Sequence, residues 1–191
     1  KLMSDKTLCL SIASRLNRPV ALIGMMGSGK SHVGARLAHM LELEFYDSDK
    51  IIEQKASLKV SEIFEAFGEE KFRASEALTL RELSEKGACI IATGGGAVTN
   101  PETLFMLLEN AVVIWLDADL EVIWERVQRT EHRPLLKQDN PKDVLSNLMV
   151  QRRALYEQAH IRLVTDHEKD EKSGENAVRD VLKALDSYLT R

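Results

Sequence analysis

The chain has 191 residues, 44% of them hydrophobic and 29% charged, and 26 basic against 30 acidic side chains leave a formal net charge of −4. That length suits one domain with a substantial core, and the slight acidity provides no positive field for a nucleic-acid backbone. With no apolar run long enough to span a bilayer, neither nucleic acid nor membrane is expected as a partner. Cys9 and Cys89 stand far apart without ligand spacing and read as buried thiols, and the five histidines offer no zinc-binding pattern.

In chain order, residues 1–17 lack the continuous apolar stretch and cleavage site of a secretory signal. With Leu8, Leu10, Ile12 and Leu16 they predict a short helical extension and a cytoplasmic setting, ahead of a single domain over 18–191. Residues 20–23 predict a strand that ends in a glycine-rich turn, and Val33, Leu37, Met40 and Leu41 then recur at helical spacing. Further strands are expected at 45–46, 89–92, 112–116 and 161–164. Helices are expected over 69–85, 119–128 and 144–159, and a C-terminal one carries Val178, Val181, Leu182 and Leu185 on one side. Strands alternating with helices predict a parallel sheet covered on both faces. The polar stretch 130–142, with Pro134 and Pro141, predicts a mobile surface loop that could act as a lid.

Gly24-Met25-Met26-Gly27-Ser28-Gly29-Lys30-Ser31 fits the pattern G-x-x-x-x-G-K-[ST], placed between a predicted strand and a predicted helix. The glycines let backbone N–H groups turn inward around phosphate oxygens, and the following helix presents its positive end. Lys30 would reach the β and γ phosphates of ATP, and the Ser31 hydroxyl would ligate Mg2+. The expected nucleotide-binding set is Gly27, Ser28, Gly29, Lys30, Ser31 and His32.

Asp47-Ser48-Asp49 follows the second predicted strand and Gly94-Gly95-Gly96 the third, so both fall at the carboxyl edge of the sheet beside the phosphate loop, where open parallel sheets bind ligands. Taken alone, the aspartates could be a helix cap and the glycines an ordinary turn. Magnesium needs a carboxylate, and Asp47 and Asp117 compete for that role; the strand pattern by itself favours Asp117. Arg73 by itself reads as an exposed helical ion pair with Glu76, three residues on.

Six blocks taken together, GMMGSGKS at 24–31, FYDSD at 45–49, EEKFRASE at 69–76, IATGGGAV at 91–98, RPLL at 133–136 and RRALY at 152–156, resemble the shikimate kinase family in identity, order and spacing. The resemblance spans 20–164 and implies an α/β, P-loop NMP-kinase-like three-layer fold with a five-stranded parallel sheet. It implies transfer of the ATP γ-phosphate to the 3-hydroxyl of shikimate, giving shikimate 3-phosphate and ADP in chorismate biosynthesis. It assigns Mg2+ to Ser31 and Asp47 in preference to Asp117, and the ring hydroxyls to Asp49. Arg73 and Arg152 are implied to grip the substrate carboxylate, Gly94, Gly95 and Gly96 to admit the ring, and Arg133 to come from the lid; Lys30, Asp49 and Arg133 form the catalytic set. A monomer is the expectation.

Two departures stand out. Ala154 occupies a position where family members commonly carry proline, and Arg153 adjoins Arg152, leaving two arginines for one role. The stretch 129–133 is short for a lid, so Arg126 and Arg129 are both open as adenine contacts. The rival readings are a gluconate kinase, which should lack the glycine triplet and the gripping arginines, and a nucleotide-dependent regulatory switch, against which no N/T-K-x-D guanine-reading block is present.

Overall fold

A computed structural model describes residues 5–129, 138–165 and 173–191. Its central strands β1 (Val20–Ile23) and β3 (Ile90–Ala92) are buried at every position, and β4 (Val112–Asp117) is buried up to its last residue. Burial on both faces explains why these strands read as unbroken apolar runs rather than alternating ones. The shorter β2 (Phe45–Asp47) and β5 (Ile161–Val164) flank them, and all pairings are parallel in the order β2-β3-β1-β4-β5. In register, Leu22 lies opposite Ala92 on one side and Ile114 on the other, so the strand ends that carry the motifs share one edge.

The helices are α1 (Asp5–Arg15), α2 (Lys30–Leu41), α3 (Ser48–Ala56), α4 (Val60–Ser84), α5 (Pro101–Asn110), α6 (Leu120–Gln128), α7 (Pro141–Tyr156) and α8 (Ser173–Leu189). Val20, Leu22, Val112 and Ile114 send their side chains to the face covered by α1, α2 and α8. Ala21, Ile23, Val113 and Trp115 face α5, α6 and α7. The alternation of neighbouring side chains across a strand thus builds a helix–sheet–helix sandwich. No helix among the described residues is long and apolar enough to cross a membrane.

Helices α3 and α5 were not singled out from the sequence, and α4 and α7 depart from their expected bounds. The helix expected over 69–85 is the second limb of the longer α4, which kinks at Gly68 (φ 83°, ψ 165°). Its first limb and α3 pack on each other through Ile63 and Ile52, joined by Phe72 from the second limb, in a small cluster away from the main sheet. Helix α7 begins at Pro141 instead of 144, so the last two positions of the expected loop are helical; proline suits a first helical turn, where no N–H donor is required. Residues 130–137, most of the expected lid, lie outside the described residues. The N-terminal segment forms a helix whose Cys9 and Ile12, with the following Leu16, lie in the same cluster as Leu37, Val181 and Leu185.

Candidate active site

Strand β1 runs into the phosphate loop, and α2 starts at Lys30. Gly24 has φ 142°, and a Cβ there would come 2.6 Å from the Leu116 carbonyl oxygen, so the loop can sit this close to β4 only with glycine. The Lys30 ammonium is buried and folds back over the loop, where Nζ donates to the carbonyls of Gly24 and Met25 at 2.8 Å each. The Val33 N–H donates back to Gly29 O at 2.9 Å, and the N–H groups of Ser31 and His32 precede it in the first turn of α2. Ser28 Oγ is buried with no hydrogen-bond partner among the described residues. The His32 side chain is exposed and points to the start of α8, since a Cβ on Gly174 would lie 2.7 Å from its Nε2.

Of the two aspartates weighed for a metal, Asp47 is the one beside Ser31: Ser31 Oγ donates to its Oδ2 at 2.6 Å. Asp47 is also the cap of α3, its Oδ1 accepting from the Lys50 N–H at 3.3 Å, so one carboxylate both caps a helix and meets the phosphate-loop serine. Asp117 instead pairs with Arg162 on β5, whose Nε and Nη2 donate to its Oδ2 at 2.9 and 2.7 Å. Arg126 Nη1 donates to the Gly27 carbonyl at 3.1 Å, and burial lowers its pKa, whereas Arg129 is exposed at the end of α6. Arg133 lies outside the described residues.

Across from the loop, the glycine turn after β3 is hemmed in by charged side chains. A Cβ on Gly94 would strike the carboxylates of Glu76 and Asp49, and one on Gly96 would strike the Arg73 guanidinium. The Gly94 N–H donates to Ser48 Oγ at 3.1 Å, which ties the turn to the first residue of α3. Arg73 Nη1 donates to Glu76 Oε2 at 2.7 Å, so the expected ion pair exists, but Glu76 is only 1% exposed. Glu76 Oε1 and Asp49 Oδ1 are buried without hydrogen-bond partners among the described residues, a costly condition that marks a place built to receive donors. Burial first, then the charges of Glu76 and Asp47, push the Asp49 carboxyl up to about 6 against the opposing pull of Lys30 and Arg73. Burial also raises Glu76, although Arg73 beside it works in the other direction.

On α7 the two adjacent arginines diverge. Arg152 Nη1 donates to the Gly95 carbonyl at 3.2 Å, whereas Arg153 lies 5.5 Å over the Trp115 ring and pairs with Glu157 at 2.9 Å. Two contributors were not singled out from the sequence. The burial of Glu76 has no local signal. Tyr156, whose hydroxyl donates to Gly95 O at 2.6 Å, sits four residues after Arg152 and hence on the same helix face, which was the available clue. The Gly95 carbonyl is therefore turned toward α7, and a planar trans peptide then aims the Gly96 N–H the opposite way. Chemically, this is a corner for an anion with hydroxyl-accepting carboxylates, set beside a phosphate-binding loop.

A sequence profile of the shikimate kinase family matches residues 26–186. The shikimate kinase of Bartonella henselae is 39% identical over 176 residues, 92% of this chain and 84% of that protein. The structure of a shikimate kinase from Acinetobacter baumannii in complex with shikimate superposes with a TM-score of 0.84 at 35% identity, covering 93% of this chain and 97% of that one. A gluconokinase from Sinorhizobium meliloti shares only the fold, at a TM-score of 0.58 and 15% identity over 90% of this chain and 93% of that one. Profile, sequence and fold converge, and the chain belongs to the shikimate kinase family.

Proposed function

We propose that this chain transfers the γ-phosphate of ATP to the 3-hydroxyl of shikimate, releasing ADP and shikimate 3-phosphate for chorismate biosynthesis. The observation that carries the reading is the convergence at one sheet edge of a lysine-bearing phosphate loop with a glycine turn flanked by Arg73, Arg152 and the oxygens of Asp49 and Glu76 that have no partner among the described residues. A gluconate kinase has no need of that pair of guanidiniums around a glycine triplet, and likeness to the gluconokinase is confined to fold.

Arginine offers a planar fork that meets a carboxylate at two points, so Arg73 and Arg152 hold the acid end of the acceptor, joined by the Gly96 N–H. Asp49 accepts from the ring hydroxyls and, with its raised pKa, takes the proton of the attacking one. Lys30 releases the carbonyls of Gly24 and Met25 and turns to the phosphates, with the N–H groups at the open end of α2 completing the cradle. Ser31 and Asp47 supply hard oxygen ligands already 2.6 Å apart, a donor set that fits Mg2+. When bound, the ion neutralises charge on the phosphate oxygens. Of Arg126 and Arg129, the bond from Arg126 to the Gly27 carbonyl of the phosphate loop supports Arg126 as the nucleotide contact. A monomer belongs to the same reading, and dependence on ATP supports a cytoplasmic setting.

The test is to incubate the protein with ATP-Mg and either shikimate or gluconate, following ADP release and identifying the phosphorylated acid. ADP release with phosphorylated shikimate alone is expected; phosphorylation of gluconate, or ADP release without a phosphorylated acid, would overturn the assignment.

A further inference from the structure

Tyr156 joins the two halves of the site without belonging to either. It is 2% exposed, and its ring stacks on Trp115 with centroids 5.8 Å apart and planes at 26°. A hydroxyl at such depth must find a partner, and this one finds the Gly95 carbonyl at 2.6 Å, with Met25 Sδ 3.5 Å away. The same carbonyl accepts from Arg152 at 3.2 Å, which its two lone pairs allow. The Arg152 guanidinium also lies beside the phenol oxygen, opposing the rise that burial causes in the tyrosine pKa.

Gly95 is also braced from the side of the phosphate loop. A Cβ there would come 3.0 Å from the Met26 N–H nitrogen, so the glycine turn rests directly on the phosphate loop. Met25 in turn holds Lys30 through its carbonyl at 2.8 Å. Rotation of the Gly95–Gly96 peptide would swing the Gly96 N–H away from the carboxylate corner and remove the anchor of Arg152. Of the two donors that oppose this rotation, the tyrosine gives the shorter bond and sits on the more rigid side chain.

We infer that Tyr156 is a positioning residue whose hydroxyl fixes the Gly95–Gly96 peptide, and through it the direction of the Gly96 N–H and the Arg152 guanidinium toward the acceptor carboxylate. The inference rests on the assignment of shikimate as acceptor. It differs from a purely structural role because the ring, which fills the core, and the hydroxyl, which aims the clamp, are separable.

The experiment compares Tyr156→Phe with wild type in steady-state kinetics with ATP-Mg and shikimate, alongside Trp115→Phe, which keeps the hydroxyl but weakens the stack. Tyr156→Phe retains the ring and its packing, and its melting curve is recorded to confirm that. The expected result is a KM for shikimate raised about ten-fold, with the KM for ATP within about two-fold of wild type, as suits one lost hydrogen bond near a charged group. Trp115→Phe should lower the melting temperature and leave the KM for shikimate near wild type. An unchanged KM for shikimate in Tyr156→Phe overturns the role, as does an equal rise in both KM values or a rise of the same size in Trp115→Phe. A wild-type enzyme that ignores shikimate overturns the acceptor assignment instead, which separates the two failures.

Discussion

Asp49 and Glu76 are carboxylates held close together with little water, and burial costs the charged form of each. For Asp49 the carboxyl rises from an ordinary 3.8 to about 6. In its proposed role as proton acceptor it must be ionised in the free enzyme, so kcat/KM for shikimate should fall as pH drops below about 6, measurable in a pH profile with ATP saturating. Stability runs the opposite way. The folded state binds this proton more tightly than the unfolded chain, so stability decreases as pH rises from 3.8 to about 6 and the full cost persists above that. Asp49→Asn should therefore abolish most turnover at neutral pH while raising stability by roughly 1–3 kcal/mol in denaturant unfolding, because the amide can also donate to the orphan Glu76 oxygen. The arginines are expected to split in a similar manner. Arg73→Ala strips Glu76 of its partner and should weaken both folding and acceptor binding, whereas Arg152→Ala, whose partner is one carbonyl, should weaken binding with little change in melting. Lys30→Ala should lower kcat by roughly 10²–10³ or more while leaving shikimate affinity near wild type.

Among the elements, strand β1, its loop and α2 were legible because each signal is local: an apolar run, a glycine pattern, then helical periodicity. The first limb of α4 and helix α3 were not, since they are held by mutual contact of Ile63 and Ile52, with Phe72 from beyond the kink, and neither carries a clear stripe of its own. The aspartate block was ambiguous for a physical reason as well: Asp47 caps α3 and contacts Ser31 with its two oxygens. Arg152 and Arg153 could not be told apart from their spacing, because one step along a helix turns a side chain by about 100° and only the neighbours of α7 decide which faces the turn. A contact that was invisible in the sequence links α2 to β2, where a Cβ on Gly34 would lie 2.7 Å from Phe45 Cε2 and 3.3 Å from Leu22 Cδ1. Gly34→Ala should thus push α2 away from the sheet and cost about 1–3 kcal/mol, read as a lowered denaturation midpoint with an unchanged slope.

Over the whole molecule, α1 and α8 close one side of the core. Helix α1 lies against α8, with Arg15 paired to Asp186 and Arg179 Nη2 3.4 Å from Asp5, over a cluster that includes the fully buried Ile12. We propose that the segment read as an extension works as part of the domain. Deleting residues 1–17 removes Cys9, Ile12 and Leu16, each worth about 1–3 kcal/mol of burial, and should lower the melting temperature by roughly 10 °C. A truncated protein that melts with the full chain would show α1 to be dispensable. The proposed acceptor corner, by contrast, could be read only from an ordered set of blocks, because Arg73, the triplet 94–96 and Arg152 come from three distant segments and meet solely through the sheet topology. A crystal structure of the protein with shikimate and ADP reports on that meeting directly. It should show the carboxylate between Arg73 and Arg152, the ring hydroxyls at Asp49 and the phosphates over Lys30. Shikimate bound elsewhere, or Arg73 and Arg152 turned away from it, would contradict the assignment of the acceptor.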